Sequence, residues 1–275
     1  GGAASAYGTW SAFHPVVRQI SVPVRHLPDA WKERTIVQLS DIHLGHIHQS
    51  GFAHRIVNTV NRLSPDLILI TGDLLDGMGG PYEQNLKPFE TLRAEKGVFF
   101  VTGNHEHYVG IERALALIRE TPLRILDNEA VMIDGLEIVG VSYPGIRSAS
   151  QIAGFSLARR PETARILMFH TPTEMGVGYG TAREPHFANY WTPDTSFRLN
   201  RTLDADIQLS GHTHCGQIFP LNLVTRLLYK GHDYGLSRSG KFMLCTSSGT
   251  GSWGPPMRTV GRPEIVLIRL VPDTA

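Results

Sequence analysis

From Thr35 onward the chain repeats one pattern: a short apolar run of β-forming residues, a turn of glycines and polar residues, then a stretch with helical spacing. The first apolar runs are Thr35–Leu39, Leu67–Ile70 and Val98–Val101, and amphipathic helices are predicted at Phe52–Leu63 and Ile111–Glu120. Strands that alternate with helices in this way usually pair in parallel. The pattern therefore predicts an α/β fold with parallel strands.

Further strands are predicted in the second half of the chain. Val131–Ile133 and Glu137–Val139 flank Asp134-Gly135, a dipeptide typical of a two-residue hairpin. The remaining apolar runs are Arg165–Phe169, Ile207–Leu209, Lys241–Leu244 and Glu264–Leu270. A sandwich of two sheets, with strands buried on both faces and helices outside, is the most economical architecture for them.

Two segments lack this alternation of strands and helices. Residues 1–34 are interpreted as a lead-in arm, and residues 35–275 as one domain. The stretch from Thr171 to Leu203 carries aromatic residues among glycines and prolines without a clear period, which indicates a long functional loop. Its aromatic residues are Tyr179, Phe187, Tyr190, Trp191 and Phe197.

Composition excludes several classes of protein. The 275 residues carry 26 Lys+Arg against 25 Asp+Glu, so a net charge of +1 provides no global field for nucleic acid or an anionic membrane. Two cysteines are too few for a framework of several disulfides. The longest apolar runs fall far short of the ~18 residues that indicate a membrane span.

Potential metal ligands follow one predicted strand after another. Open α/β sheets form their sites at the carboxyl ends of their strands. Residues of this kind after the five strands are Asp41 and His43; Asp73; Asn104, His105 and Glu106; His170; and His212 and His214. The sequence therefore predicts that five strand ends contribute to one site.

The residue types indicate a transition-metal site. In Asp41-Ile-His43 and His212-Thr-His214, alternate positions of an extended chain direct both side chains to the same side. A site of carboxylate, imidazole and amide donors is typical of Mn, Fe, Zn or Ni. Calcium is instead bound by oxygen atoms alone, and structural zinc by thiolates. Asp73 is the candidate to bridge two ions, an arrangement that clamps a phosphoryl group.

The ordered set of motifs resembles that of the calcineurin-like metallophosphoesterases. Their pattern of D-x-H, G-D, G-N-H-[DE], H and G-H-x-H is matched over about residues 35–270. The matching blocks are Asp41-Ile-His43, Gly72-Asp73, Gly103-Asn-His-Glu106, His170 and Gly211-His-Thr-His214. The resemblance implies a four-layer α/β/β/α sandwich of two mixed sheets flanked by helices, and two divalent transition-metal ions (Mn, Zn or Fe).

The resemblance also implies a role for each matched residue. One metal would be held by Asp41, His43, Asp73 and His214, and the other by Asp73, Asn104, His170 and His212. His105 would contact the phosphate and protonate the leaving oxygen. Metal-bound hydroxide would attack a phosphomonoester or phosphodiester, which makes the expected protein a metal-dependent phosphoric ester hydrolase.

Finer details resemble one bacterial, membrane-associated branch of that family. They are the segments Ser210–Ile218 and Gly249–Arg258. This likeness implies a phospholipid or nucleotide-lipid phosphate as substrate and the bacterial cytoplasmic membrane as location. Residues 1–34 would then be a juxtamembrane stretch after a membrane segment missing upstream.

Two alternative functions are weighed against this one. A non-catalytic scaffold of the same fold typically loses ligands, whereas all seven proposed ligands and the proposed acid are present here. A nuclease is disfavoured by the near-neutral charge and the absence of a basic run, so no nucleic-acid partner is expected.

Three smaller alternatives concern neighbours of the predicted ligands. Asp76 either supports a ligand or caps the following helix, and the cap is favoured slightly. His46, His48 and His107 either orient ligands or are ordinary surface and packing residues. Cys215 is interpreted as a buried bystander.

Overall fold

The computed structural model describes residues 2–159, 163–176 and 192–273. The strands in chain order are β1 (Val16–Val24), β2 (Thr35–Leu39), β3 (Leu67–Ile70), β4 (Val98–Phe100), β5 (Arg124–Ile125), β6 (Glu129–Ile133), β7 (Leu136–Val141), β8 (Arg165–Phe169), β9 (Ile207–Ser210), β10 (Gly235–Ser239), β11 (Phe242–Thr246) and β12 (Glu264–Pro272). The α-helices are α1 (Gly2–Ala12), α2 (Ser50–Leu63), α3 (Tyr82–Leu86), α4 (Asn104–Val109), α5 (Ile111–Arg119), α6 (Arg198–Thr202) and α7 (Leu221–Leu228).

The strands form two mixed sheets. The first has the order β1-β12-β2-β3-β4-β5, with β2 to β5 parallel to one another and β12 antiparallel to β2. The second has the order β10-β11-β9-β8-β7-β6, with β7, β8, β9 and β11 parallel and both edge strands antiparallel. The Asp134-Gly135 turn joins β6 to β7 with positive φ at both residues, 48° and 84°, which confirms the predicted hairpin.

Three apolar clusters hold the layers together. The middle cluster lies between the sheets and joins residues such as Leu69 and Val266 to Ile166 and Leu209. An outer cluster packs α2 and α5 on the first sheet, and another packs Phe197 and Leu203 on the second. This arrangement confirms the predicted α/β/β/α sandwich of two mixed sheets flanked by helices. Strands such as β3 are buried on both faces, which explains their unbroken apolar sequence.

The amino-terminal segment differs from the interpretation of residues 1–34 as a lead-in arm. Strand β1 lies at the edge of the first sheet and pairs in parallel with β12 along its whole length. Its side chains alternate between half-buried and exposed up to the buried Val22 and Val24, as expected of an edge strand. The alternation of strands and helices did not predict β1, because its neighbour β12 comes from the other end of the chain.

The predicted loop from Thr171 to Leu203 lies partly outside the described residues. Tyr179, Phe187, Tyr190 and Trp191 fall in the segment that is not described. Its carboxyl-terminal part contains helix α6, and Phe197 is buried in the outer cluster of the second sheet. Among the described residues, no helix is both long and apolar enough to cross a membrane.

Candidate metal centre

Both sheets contribute their strand ends to one buried site. Asp41 and His43 follow β2, Asp73 follows β3, and Asn104 begins α4 just after β4. His170 follows β8 of the second sheet, and His212 and His214 follow β9. Because β2, β3 and β4 are neighbours in one sheet and β8 and β9 in the other, their carboxyl ends meet across the sandwich. The structure thus brings together all seven predicted ligands.

The first group of donors consists of Asp41, His43 and His214. The Nε2 atoms of His43 and His214 are 3.0 Å apart. Asp41 Oδ1 lies 3.4 Å from His214 Nε2 and 4.0 Å from His43 Nε2. The carboxylate of Asp41 also accepts hydrogen bonds from the backbone N–H of His212, with both oxygens at 2.9 Å.

The second group consists of Asp73, Asn104, His170 and His212. His170 Nε2 lies 3.1 Å from Asp73 Oδ2 and 3.0 Å from Asn104 Oδ1. His212 Nδ1 is also 3.0 Å from Asn104 Oδ1. His170 Nδ1 is 2.8 Å from the carbonyl oxygen of Thr71, which holds the ring with Nε2 towards the other donors.

Asp73 stands between the two groups. Its Oδ2 atom is 3.1 Å from His170 Nε2 and 3.8 Å from His43 Nε2. Its Oδ1 atom accepts a hydrogen bond of 2.9 Å from the backbone N–H of His105. One carboxylate therefore faces imidazoles of both groups, as a bridging ligand would.

Burial controls the protonation of the imidazoles. It lowers the pKa of His212 to about 3, and it lowers the pKa of His43 and of His214 well below the usual range. Burial also lowers the pKa of His170, but the nearby Asp73 carboxylate outweighs it and raises the net value to about 9. Three imidazoles are thus held neutral, the form that binds metal ions.

The backbone is strained at these residues. Five of the predicted ligands are non-glycine residues with positive φ, between 51° and 74°. They are Asp41, His43, Asp73, His212 and His214. Each such conformation costs on the order of 1 kcal/mol and persists where the surrounding structure enforces it, which is common at functional sites.

The donors fit divalent metal ions. The potential ligand atoms of Asp41, His43 and His214 lie within 4.8 Å of one another, and so do those of Asp73, His170 and His212. Carboxylate, amide and neutral imidazole together suit borderline transition metals. The assignment of individual ligands to individual ions stays a prediction.

His105 lies beside the first group. Its ring centroid is 4.5 Å from that of His43, and its Nδ1 atom lies 3.2 Å from the backbone nitrogen of Gly77. Burial lowers the pKa of His105, but the negative charges of Asp73 and Asp76 outweigh burial, so the net pKa is raised.

Asp76 supports His105 and does not cap the following helix. Its Oδ1 atom lies 3.4 Å from His105 Nδ1, and α3 begins only after Pro81. The favoured interpretation of Asp76 as a helix cap is therefore wrong. The sequence favours a cap because it does not reveal the intervening turn at residues 77–80.

Two residues that stabilise the site belong to the sequence motifs, but the sequence assigned them no role. The Glu106 carboxylate accepts backbone hydrogen bonds from Asp73, Leu74, Leu75 and Gly103 at 2.7 to 3.1 Å. Arg258 is buried with its Nη2 atom 2.8 Å from His214 Nδ1. The segment Gly249–Arg258 follows β11, and this position after a strand could have indicated that it belongs to the site. The sequence does not show which ligand Arg258 contacts.

The three neighbouring histidines differ in environment. His48 is buried and its Nε2 atom lies 2.8 Å from Ser252 Oγ. His107 Nε2 lies 3.0 Å from the carbonyl oxygen of Tyr143. His46 is exposed. Cys215 is half-buried and not buried as predicted, and it is not among the metal-donor groups of the described residues.

The chain is similar to known proteins. Residues 34–216 match the model of the calcineurin-like phosphoesterase family. An uncharacterized metallophosphoesterase of Helicobacter pylori is 34% identical over 246 residues, which are 88% of this chain and 60% of that protein. A transmembrane protein with metallophosphoesterase domain from Danio rerio is 31% identical over 97% of this chain and 60% of its own length.

A solved structure is also similar. The crystal structure of TT1561 from Thermus thermophilus gives a TM-score of 0.47 at 12% identity, covering 78% of this chain and 89% of that one. The chain spans about 60% of the length of the first curated relatives it matches.

Proposed function

Because the chain belongs to the family of calcineurin-like phosphoesterases, we propose that it hydrolyses phosphate esters at the centre between its two sheets. The observation that carries the proposal is the position of Asp73, whose Oδ2 atom faces His43 of one donor group and His170 of the other. A carboxylate shared in this way suits two ions that act on one phosphoryl group.

The proposed ligands are those of the two donor groups. Asp41, His43 and His214 would hold one ion, Asn104, His170 and His212 the other, and Asp73 both. When bound, such ions supply a nucleophile at neutral pH and neutralise the charge of the phosphoryl oxygens.

The chain itself supplies the proton for the leaving group. His105 Nδ1 is engaged by Gly77 and Asp76, so we assign proton transfer to the leaving oxygen to Nε2. The carboxylates of Asp73 and Asp76 raise the pKa of His105, which favours its protonated form. Asp76 orients the ring and favours its charged form.

The substrate is proposed to be a phosphomonoester or phosphodiester of a membrane lipid. The support is indirect: relatives from Danio rerio and Bos taurus are named transmembrane proteins with a metallophosphoesterase domain, and this chain spans only part of their length. A location at the membrane of a bacterial cell stays a proposal.

The first test combines metal analysis with turnover. The purified protein is assayed for bound metal and for hydrolysis of an aryl phosphomonoester and an aryl phosphodiester, before and after chelation. About two transition ions per chain and turnover that chelation abolishes are expected. Two ions without turnover on any ester would favour the non-catalytic scaffold, and no metal after reconstitution would contradict the ligand assignment.

Substitutions then separate metal binding from proton transfer. Asp73→Ala should lose both metal and activity, because it removes the carboxylate between the groups. His105→Ala should keep its metal and lose about 100-fold or more in kcat, the usual contribution of a general acid. His54→Ala, an exposed histidine on α2, is the matched control. Full activity of His105→Ala at saturating metal would contradict the mechanism.

A further inference from the structure

Helix α7 has its apolar face towards solvent. Leu221, Leu223, Val224 and Leu227 are 52%, 56%, 42% and 78% exposed. Its uncharged polar residues, Asn222 and Thr225, are half-buried, and Thr225 Oγ1 lies 3.1 Å from Asp233 Oδ2. A surface helix of a globular protein normally has the opposite orientation, so this face requires an apolar partner.

The same apolar surface continues beyond the helix. Phe219 is 64% exposed just before α7, and Trp253 is 52% exposed on the loop after β11. Gln217 joins the two segments, because its Oε1 accepts from the Trp253 N–H at 3.0 Å and its Nε2 donates to the Trp253 carbonyl at 2.8 Å. The name apolar rim is used below for Phe219, Leu221, Leu223, Val224, Leu227 and Trp253.

The apolar rim lies beside the metal centre. Tyr229, directly after α7, is buried with its ring centroid 6.5 Å from that of His212. The ring of Trp253 lies 6.4 Å from that of His105. A surface that covered the rim would therefore adjoin the proposed ligand His212 and the proposed acid His105.

The charge of the segment indicates what that surface is. Residues 216–232 contain no aspartate or glutamate, whereas Arg226 and Lys230 are exposed. Apolar side chains next to cations, without acids, are complementary to the anionic headgroups and acyl chains of a phospholipid surface. A symmetric dimer through α7 is disfavoured, because Arg226 and Lys230 of one chain would face the same segment of the other chain, which offers no acidic residue to pair with them.

We propose that the apolar rim docks this protein onto an anionic phospholipid bilayer. The leucines and aromatics enter the boundary between headgroups and acyl chains, and Arg226 and Lys230 bind the lipid phosphates. The docking is inferred from the exposed residues of the apolar rim alone. Its consequence is that the enzyme hydrolyses esters held at a bilayer surface, and this consequence rests on the function proposed above.

The test uses sedimentation of the protein with vesicles of phosphatidylcholine, with and without phosphatidylglycerol. The protein should bind the anionic vesicles more tightly. Leu223→Glu combined with Leu227→Glu should reduce that binding by about tenfold or more, because both residues enter the lipid. Met132→Glu, at a comparably exposed apolar residue on β6, should leave binding unchanged.

A second pair of variants tests the charges. Arg226→Glu and Lys230→Glu should each reduce binding to anionic vesicles by about fivefold or more, and binding to neutral vesicles much less. Added salt should weaken the binding of the unaltered protein in the same direction.

Hydrolysis of a soluble aryl ester separates this proposal from the proposed function. The leucine variants should keep the unaltered turnover of that ester. An active enzyme that does not bind anionic vesicles would overturn the docking and leave the proposed function intact. Concentration-dependent dimerisation lost in the leucine variants, without vesicle binding, would assign the rim to a second copy of the chain.

Discussion

At the scale of single residues, Arg258 illustrates how the metal centre is held from behind. Its guanidinium is fully buried, and Nη1 donates to the carbonyl oxygens of His214 and Gly261 at 2.9 and 2.8 Å. Burial lowers the pKa of Arg258 to about 10, although the Asp41 carboxylate opposes this effect. Contact with both the backbone and the ring of His214 fixes that imidazole, so we regard Arg258 as a positioning residue.

The substitution Arg258→Lys should show whether the charge of Arg258 or the shape of its guanidinium supports the metal centre. Lysine keeps the positive charge but lacks the planar fork, so it cannot reach all these acceptors at once. The affinity for metal should fall about 10-fold or more, and the free energy of unfolding by about 2 kcal/mol. Chelator competition and urea unfolding measure the two effects. An unchanged metal affinity would mean that the charge alone matters.

Gly103 tests how closely the backbone approaches the bridging carboxylate. A Cβ atom at residue 103 would overlap Asp73 Oδ1 and lie 2.7 Å from the Asp73 backbone nitrogen. Gly103→Ala should therefore displace Asp73, reduce the metal content and destabilise the fold by about 2 kcal/mol or more.

The matched control for Gly103→Ala is Gly51→Ala. Residue 51 lies in α2, and a Cβ atom there meets nothing within 4 Å. This substitution should leave the metal content unchanged and stabilise the protein slightly, because alanine favours a helix. Equal metal loss in both variants would contradict the steric argument.

At the scale of elements, the loops after the strands are tied to one another by buried polar groups. Glu106 on α4 binds the backbone of the loop after β3 through three of its amides. His48, in the loop after β2, bonds Ser252 in the loop after β11 and stacks on Phe52 of α2. These contacts hold the ligand-bearing loops against each other without binding metal.

The burial of His48 predicts a pH dependence of stability. Burial, with the nearby Arg258 charge, lowers the pKa of His48 to about 3 from an ordinary value near 6.5. Between these pH values the unfolded state binds the extra proton, so stability is complete above about pH 6.5 and falls as the pH is lowered. The loss from this group should reach about 3 kcal/mol near pH 4.5.

Urea unfolding across pH tests this prediction with His48→Gln. The variant should lack this part of the pH dependence because glutamine does not titrate. His54→Gln, at an exposed histidine of the following helix α2, serves as the control. An equally steep acid loss in His48→Gln and in the unaltered protein would assign the effect to other groups.

At the scale of the whole molecule, the centre exists only where two sheets meet, so contacts between distant parts of the chain support it. Arg25 follows β1 of the first sheet, and its Nε atom donates to Asp206 Oδ1 at 2.7 Å, just before β9 of the second. Asp206 is buried and also accepts from the backbone N–H of Arg165 at 2.8 Å. This carboxylate joins both sheets.

Arg25→Ala should weaken the junction of the sheets. The buried Asp206 carboxylate would lose its charged partner, which should reduce the free energy of unfolding by about 2 kcal/mol. Lys32→Ala removes the lysine of an exposed pair with Asp29 and should leave stability unchanged. Thermal unfolding compares the two, and an equal effect would contradict a structural role for Arg25.

Much of the fold and most of the site were predictable because their signals are local. The strands from Thr35 onward are apolar runs of a few residues, and the ligands come directly after them, so the rule for parallel sheets was enough to place them together. Asp76 was assigned incorrectly because its partner, His105, is 29 residues away and the turn between Asp76 and α3 is not visible in the sequence.

The amino-acid sequence by itself determined the class of fold, the strand ends that form the site and the family, since periodicity and motif spacing are properties of short segments. Only the tertiary structure decided the pairing of β1 with β12, the burial of Arg258 behind His214 and the outward apolar face of α7. These features depend on contacts between residues far apart in the chain. Patterns formed by a few neighbouring residues do not record such contacts.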